Sequence, residues 1–143
     1  MKIRRAKEEE IKELCEIEMS SGYHKKKFNF EPYLQGLFKE NTEILCSEEK
    51  ENLTVYITLS KNGEIGFLAV SKKFQGKGIA NMLLKKVISS AKKKKLTKLF
   101  LDVRNDNFSA IRLYLKNGFM ITRLYKKKID SKEITKLRLE KQL

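Results

Sequence analysis

Gly76 and Gly78 stand one residue apart where an apolar run, Ile65 to Val70, gives way to an apolar-periodic segment that begins at Ile79. The chemistry open to such a junction is anion binding. Glycine lets the backbone approach an anion closely, and the first N–H groups of a helix have no intrahelical partner and carry the positive end of its dipole. A phosphate bound there needs no dedicated side chain. Asp102 is the second residue that asks for an explanation. It interrupts the apolar run Leu99 to Val103, where an unpaired charge is expensive, so it requires a partner or a purpose. Arg104, two residues on, would share its face of a strand. The lone His24 reads as a surface residue. Cys15 and Cys46 are far apart, with no second pair and no histidine pattern, which predicts reduced core cysteines and no metal.

The elements that must position these groups follow from period and punctuation. Lys2 to Arg4 reads as a short strand, and Glu8 to Glu10 precede Ile11, Leu14, Cys15 and Met19 at helical spacing. That helix ends near Ser20-Ser21-Gly22. Tyr23 to Phe30 is basic and aromatic without a period, and Pro32 starts a second helix through Leu37 and Phe38. Glu43 to Ser47 and Leu53 to Ser60 read as strands, and Asn62-Gly63 predicts a hairpin into the strand Ile65 to Val70, with positive φ tolerated at both positions. After the glycine loop, Ile79, Met82, Leu83, Val87 and Ile88 make one apolar helical face. The near-continuous Leu99 to Arg104 is then a strand covered on both faces. Strand, crossover helix and strand predict a right-handed parallel unit. Ser109 would cap a helix carrying Ala110, Ile111, Leu113, Tyr114 and Leu115, which Asn117-Gly118 ends. Phe119 to Tyr125 and Ile134 to Leu139 close the chain as two strands joined through Asp130-Ser131.

Its 143 residues suit one domain, 1–143, large enough to bury a core. No apolar run approaches the roughly 20 residues of a membrane span. Met1-Lys2-Ile3-Arg4-Arg5 leads into a charged segment rather than an apolar one, so a cytoplasmic protein with no membrane partner is expected. The net charge of +14, with runs at Lys25 to Lys27, Lys92 to Lys95 and Lys126 to Lys128, raises a nucleic-acid reading. The runs lack the interleaved aromatics of a stacking platform. A solvated basic surface is the first reading, and attraction to an acidic ligand or to an RNA-rich particle such as the ribosome is the second.

Asn81 excludes a dinucleotide fingerprint, which needs a third glycine there, and the loop lacks the glycine, lysine and hydroxyl succession of a P-loop. Gln75-Gly76-Lys77-Gly78-Ile79-Ala80 does resemble the Q/R-x-x-G-x-G/A loop of the GNAT superfamily of acyl-CoA-dependent N-acyltransferases. Some thirty residues on, Leu101-Asp102-Val103-Arg104-Asn105-Asp106-Asn107-Phe108-Ser109-Ala110-Ile111-Arg112-Leu113-Tyr114-Leu115-Lys116-Asn117-Gly118-Phe119 resembles the second signature of that superfamily. The likeness is nearest to its branch of ribosomal-protein and other protein N-terminal α-amino acetyltransferases. Alanine stands for the last loop glycine, and Lys72 stands where proline is frequent.

The resemblance implies an α/β fold: a mixed, twisted sheet of about seven strands, with an antiparallel N-terminal meander, parallel strands four and five that splay, and helices on both faces. It implies acetyl-CoA as co-substrate. Backbone groups of Leu68, Ala69 and Val70 would hold the pantetheine arm and acyl carbonyl. The loop from Gln75 through Gly76, Lys77, Gly78, Ile79 and Ala80 to Asn81 would hold the pyrophosphate. Asn107 would bind the cofactor through its side chain, and Tyr114 would protonate the departing thiolate. Read singly, Asn107 is equally a turn or cap residue and Tyr114 a packed helix residue. Asp102 matches the position that usually holds a catalytic glutamate in the ribosomal-protein branch, one methylene longer, and Glu64 matches the base of the histone-lysine branch.

Acetyl transfer to an amine requires the free base. At pH 7 deprotonation costs a lysine roughly 4.6 kcal/mol and an α-amine only about 1 kcal/mol. An α-amine thus needs little help from a base, and the resemblance implies a protein N-terminal α-amine as the acceptor, with lysine, a polyamine or another small amine as the alternative. A CoA-sensing or RNA-binding module without catalysis is the reading from another class. An added edge strand would support a homodimer.

Overall fold

A computed structural model describes residues 1–21 and 29–143. Their elements, in chain order, are β1 (Lys2–Arg5), α1 (Ile11–Ser20), α2 (Glu31–Lys39), β2 (Glu43–Glu49), β3 (Asn52–Leu59), β4 (Ile65–Val70), α3 (Ile79–Lys93), β5 (Lys98–Arg104), α4 (Phe108–Lys116), β6 (Met120–Ile129) and β7 (Lys132–Gln142). His24, the run Lys25 to Lys27 and most of the basic aromatic segment lie outside the described residues. No helix among the described residues is long and apolar enough to cross a membrane.

Strands β1 to β4 pair antiparallel in sequence order, and β7 inserts between β5 and β6 to form a second antiparallel sheet. The two sheets touch at one parallel bridge, Glu64 to Phe100, after which β4 and β5 part. The cause of the splay lies in β4. Between the pairs Leu59–Ile65 and Ile57–Leu68 the register slips, so Gly66 and Phe67 oppose Thr58 alone. Thr58 Oγ1 accepts the Phe67 N–H at 2.9 Å. Such a bulge bends its strand and increases the twist, which turns the end of β4 away from β5.

The Asn62-Gly63 hairpin forms with one difference from expectation: of the two, only Gly63 takes positive φ, at 92°. Its N–H donates to the Ser60 carbonyl at 3.2 Å, and the Ser60 N–H donates to the Glu64 carbonyl at 2.9 Å, a three-residue loop closed by one left-handed glycine. A Cβ at Gly63 would lie 2.3 Å from the Lys98 carbonyl oxygen. The entry of β5 beside the hairpin thus requires glycine. At the last hairpin both Asp130 and Ser131 have positive φ, 50° and 65°.

Strand β3 is buried on both faces. Val55, Ile57 and Leu59 pack with Leu83, Leu84 and Val87 of α3 and with Leu99, Leu101 and Val103 of β5, a core that spans both sheets. On the other face Tyr56 packs with Ile11, Leu14 and Ile17 of α1 and Leu34 of α2. Three expectations are corrected. Met82 flanks the buried stripe of α3 and is 46% exposed. Only one face of β5 is fully buried; on the other, Phe100 and Asp102 are half-buried, with the Arg138 guanidinium 5.0 Å from the Phe100 ring centre. The cap of α4 is Asn107, not Ser109. Cys15 and Cys46 are free thiols, and burial pushes Cys46 up to about 11. Part of the lysine run closing α3 is structural, since Lys94 Nζ lies 3.0 Å from the buried Glu43 carboxylate.

Candidate active site

Helix α3 starts immediately after Gly78, whose φ is 79°; Gly76 has 76°. A Cβ at either position meets nothing within 4 Å. What glycine supplies here is left-handed backbone, not room inside the chain. Among the described residues no side chain caps α3, so its first N–H groups are open to a ligand at a loop exposed from Gln75 to Gly78. The Lys77 ammonium lies over the Phe74 ring at 5.4 Å. Gln75 serves a different purpose: its Nε2 donates to the Ser21 carbonyl at 2.9 Å and the Val70 carbonyl at 3.1 Å, joining the end of α1 to the end of β4. Asn81 Oδ1 accepts from Asn117 Nδ2 at 2.8 Å, which fastens the first turn of α3 to the end of α4.

Where β4 and β5 part, a cleft of about 500 Å³ opens. Ile65 to Ala69 form one wall and Leu101 to Arg104 the other; α4 contributes Asn107, Ala110 and Tyr114, α1 contributes Glu18 and Ser21, and β7 contributes Lys136. Leu68, Ala69, Asp102, Asn107 and Tyr114 therefore meet. Val70 and residues 75–81 do not line the cleft, and neither does Glu64, which is exposed at the bridge.

Tyr114 is 4% exposed and held from two directions. The Phe119 N–H donates to its carbonyl, and the Gly118 N–H to that of Leu115, both at 3.1 Å, with Gly118 at φ 89°. This double closure brings Phe119 back onto the helix, its ring edge-on to Tyr114 at 5.3 Å. Burial pushes the Tyr114 hydroxyl up, so it stays protonated across the neutral range and can act as a donor. Asn107 Oδ1 accepts the Ala110 N–H at 3.3 Å, the N-cap bond of α4.

Asp102 has its partner, and it is not Arg104. Arg138 stands directly opposite across the β5–β7 ladder and grips both carboxylate oxygens, Nε to Oδ1 at 3.0 Å and a terminal nitrogen to Oδ2 at 2.8 Å. That hydrogen bonding holds the Asp102 carboxyl below its ordinary range, against the opposing effect of burial. A carboxylate so engaged is a weak proton acceptor. Arg104 instead pairs with Asp106 at 3.4 Å.

Two residues that shape the site, Glu18 in the cleft lining and Arg138 beside Asp102, escaped the sequence reading. Glu18 is 5% exposed and accepts a short hydrogen bond from Tyr56, which is fully buried on β3. A signal existed: Glu18 follows Ile11 by seven residues and Leu14 by four, on the apolar stripe of α1. Arg138 carried no comparable signal, because only strand register places it beside Asp102.

Residues 9–119 match the model of the acetyltransferase (GNAT) family. Among solved structures the fold is similar to Ard1 from Thermoplasma volcanium, with TM-score 0.88 and 22% identity, covering 99% of this chain and 97% of that one. It is similar also to the ribosomal-protein-alanine N-acetyltransferase from Brucella melitensis, with TM-score 0.84 and 18% identity over the whole of both chains. A third likeness is to yncA from Salmonella typhimurium, solved with its cofactor acetyl-CoA: TM-score 0.82 and 18% identity, covering 100% of this chain and 94% of that one. No curated protein matches.

Proposed function

The chain belongs to the acetyltransferase (GNAT) family and is an N-acetyltransferase, and from that premise we propose that one domain, residues 1–143, moves the acetyl group of acetyl-CoA to the α-amine of a protein N-terminus. The observation that carries the acceptor class is the engagement of Asp102 by Arg138. With that carboxylate tied down and Glu64 outside the cleft, neither carboxylate that the sequence offers as a base is placed to strip a strongly held proton, which favours an amine that yields its proton at about 1 kcal/mol over a lysine at roughly 4.6 kcal/mol.

Acetyl-CoA supplies an activated acyl thioester. Its phosphates suit the exposed Gly76 to Asn81 loop, whose left-handed glycines and uncapped helix start form an anion cradle. Among the described residues the β4 edge facing β5 carries main-chain groups with no ladder partner beyond the bridge, at the height of Leu68, Ala69 and Val70, where the pantetheine arm and acyl carbonyl would lie. Tyr114 gives its proton to the departing sulfur. Burial that raises the phenol also penalises a thiolate, so the gap between them stays near the roughly 2 kcal/mol of the unperturbed groups. Asn107 caps α4 through its oxygen and turns its amide toward the cofactor.

Release of free CoA thiol tests the reading, measured with peptides bearing a free α-amine, the same peptides blocked at the terminus but containing lysine, and polyamines. Release with the first group alone is the expected outcome. Release only with lysine or polyamines would overturn the acceptor assignment and leave the family standing.

A further inference from the structure

We infer that the exposed face of helix α3 binds the phosphate backbone of duplex RNA. That face lies outside the site of the proposed transfer, and only the choice of RNA over DNA rests on the transfer reading.

Charge in this chain is divided by position. Residues 71–143 hold 21 of its 32 lysines and arginines but only 5 of its 18 aspartates and glutamates. The division is sharpest in α3 and α4, neither of which contains a carboxylate. In α3, Leu83, Leu84, Val87 and Ala91 are buried, while Lys85, Lys86, Lys92 and Lys93 are exposed. At the helical repeat those four positions fall within about 120° of the circumference, as two pairs about 10 Å apart along the axis. Asn81 lies at the edge of this stripe and accepts from Asn117 at the end of α4, so the exposed Arg112 and Lys116 stand on the neighbouring helix.

Ordinary solvation does not account for the stripe. An exposed helix face usually mixes signs, because a glutamate one turn before a lysine stabilises the helix and like charges repel. Among the described residues no carboxylate forms an ion pair with any of the four lysines, whereas the next residue, Lys94, reaches Glu43. The dipole at the helix end favours Lys92 and Lys93. Its effect fades within the last turn and leaves Lys85 and Lys86 unexplained.

The kind of partner follows from what accompanies the lysines. The apolar side of α3 is part of the core, so the helix cannot sink into a bilayer. The helix carries no aromatic ring on which an unpaired base could stack. Unpaired cations in a row, with neither feature, suit a regular array of negative charge. A nucleic-acid duplex presents that array, and each phosphate neutralised releases a counterion. RNA is favoured because the acceptor of the proposed transfer, a protein N-terminus, first exists beside RNA at the site of translation. No residue of α3 lines the described cleft, so a duplex on this face leaves the cleft open.

The test is fluorescence anisotropy of a labelled RNA duplex of about 16 base pairs, titrated with the full chain between about 50 and 200 mM salt. Wild type is compared with Lys85→Gln/Lys86→Gln/Lys92→Gln/Lys93→Gln. A control, Lys2→Gln/Lys12→Gln/Lys39→Gln/Lys50→Gln, removes the same charge at exposed lysines of the other half. Wild type should bind duplexes of different sequence alike. The α3 variant should bind at least about tenfold more weakly, with the slope of log K against log salt shallower by about 3, and the control should lose no more than about threefold. Acetyl-CoA affinity, measured by calorimetry, should stay within about twofold of wild type in both variants, since exposed charges beyond about 10 Å are screened. Absence of binding by the wild type at the lowest salt would overturn the assignment. Equal losses in the two variants would do the same, by reducing the effect to net charge. A matching loss of acetyl-CoA affinity in the α3 variant would give its lysines to the cofactor instead. Polyglutamate or phosphatidylserine vesicles bound as tightly as the RNA, or a DNA duplex of the same sequence bound more tightly, would overturn the choice of partner. If the α3 variant does not fold by circular dichroism, Lys85→Gln/Lys86→Gln decides: a slope shallower by about 1.5 supports the assignment, and an unchanged slope overturns it. Failure of the wild type to acetylate any amine would sink the transfer reading alone, and the anisotropy would still decide the face of α3.

Discussion

On the side of the molecule proposed to hold the phosphates, the groups on offer are main chain: two left-handed glycines, the start of α3 and the edge of β4 beyond the bridge. On the opposite side the contacts are made by side chains between elements distant in sequence: Glu18 with Tyr56, Asp102 with Arg138, and the Gln75 amide with the main-chain carbonyl of Ser21. The first kind of site tolerates most changes of side chain, provided the backbone conformation survives. The second kind can be retuned by one substitution without disturbing the first. A single scaffold can therefore keep one donor while its acceptor changes.

The contrast can be broken in measurable ways. The largest effect is expected from Tyr114→Phe, which removes the proposed proton donor and should lower kcat by about 10²- to 10⁴-fold while the KM for acetyl-CoA holds; equal turnover would remove Tyr114 from the chemistry. Next is Gly78→Val. A β-branched residue at φ 79° costs about 1–3 kcal/mol of strain, so acetyl-CoA should bind some 5- to 150-fold more weakly by calorimetry while a free-amine peptide binds as before. A loss of both together would show that the two sides are not separable.

Arg138→Met comes third. The folded Asp102 carboxyl lies below its unfolded value near 3.9, so the pair's contribution is complete above about pH 4 and disappears as pH falls through the lower folded value. With Arg138 35% exposed, solvent screening leaves roughly 1 kcal/mol. Stabilities from urea unfolding of wild type and variant should differ by that amount at pH 7 and converge as pH falls below the folded value. Asp102→Asn should leave the pH dependence of kcat/KM unmoved near neutrality, and an alkaline shift would restore Asp102 as the base.

The smallest effect sharpens the role of Asn107. Asn107→Ala should cost about 1 kcal/mol through the lost cap, read as a lower melting temperature. Asn107→Ser should recover that stability but not the KM for acetyl-CoA, because serine caps a helix yet lacks the amide. Full recovery of both would reduce Asn107 to a cap.

Much of this molecule was legible in one dimension. Glycines at 76, 78 and 118 have positive φ because the turns they occupy are local, and the periods of α1, α3 and the strands follow from neighbours within a few residues. Gly66 carried a further local hint, since a glycine inside a strand often marks a bulge; here the bulge parts β4 from β5. The sequence by itself determined the order of elements, the left-handed glycine loop before α3 and the identity of Tyr114 as a helix residue beside a glycine-closed end. Tertiary structure alone decided that Arg138 rather than Arg104 holds Asp102, that Gln75 ties α1 to β4, and that Glu18 meets Tyr56. The reason is physical: a backbone conformation depends on the few residues around it, whereas a pair of side chains 36 or 38 positions apart exists only once strand register and helix packing have brought both to one place.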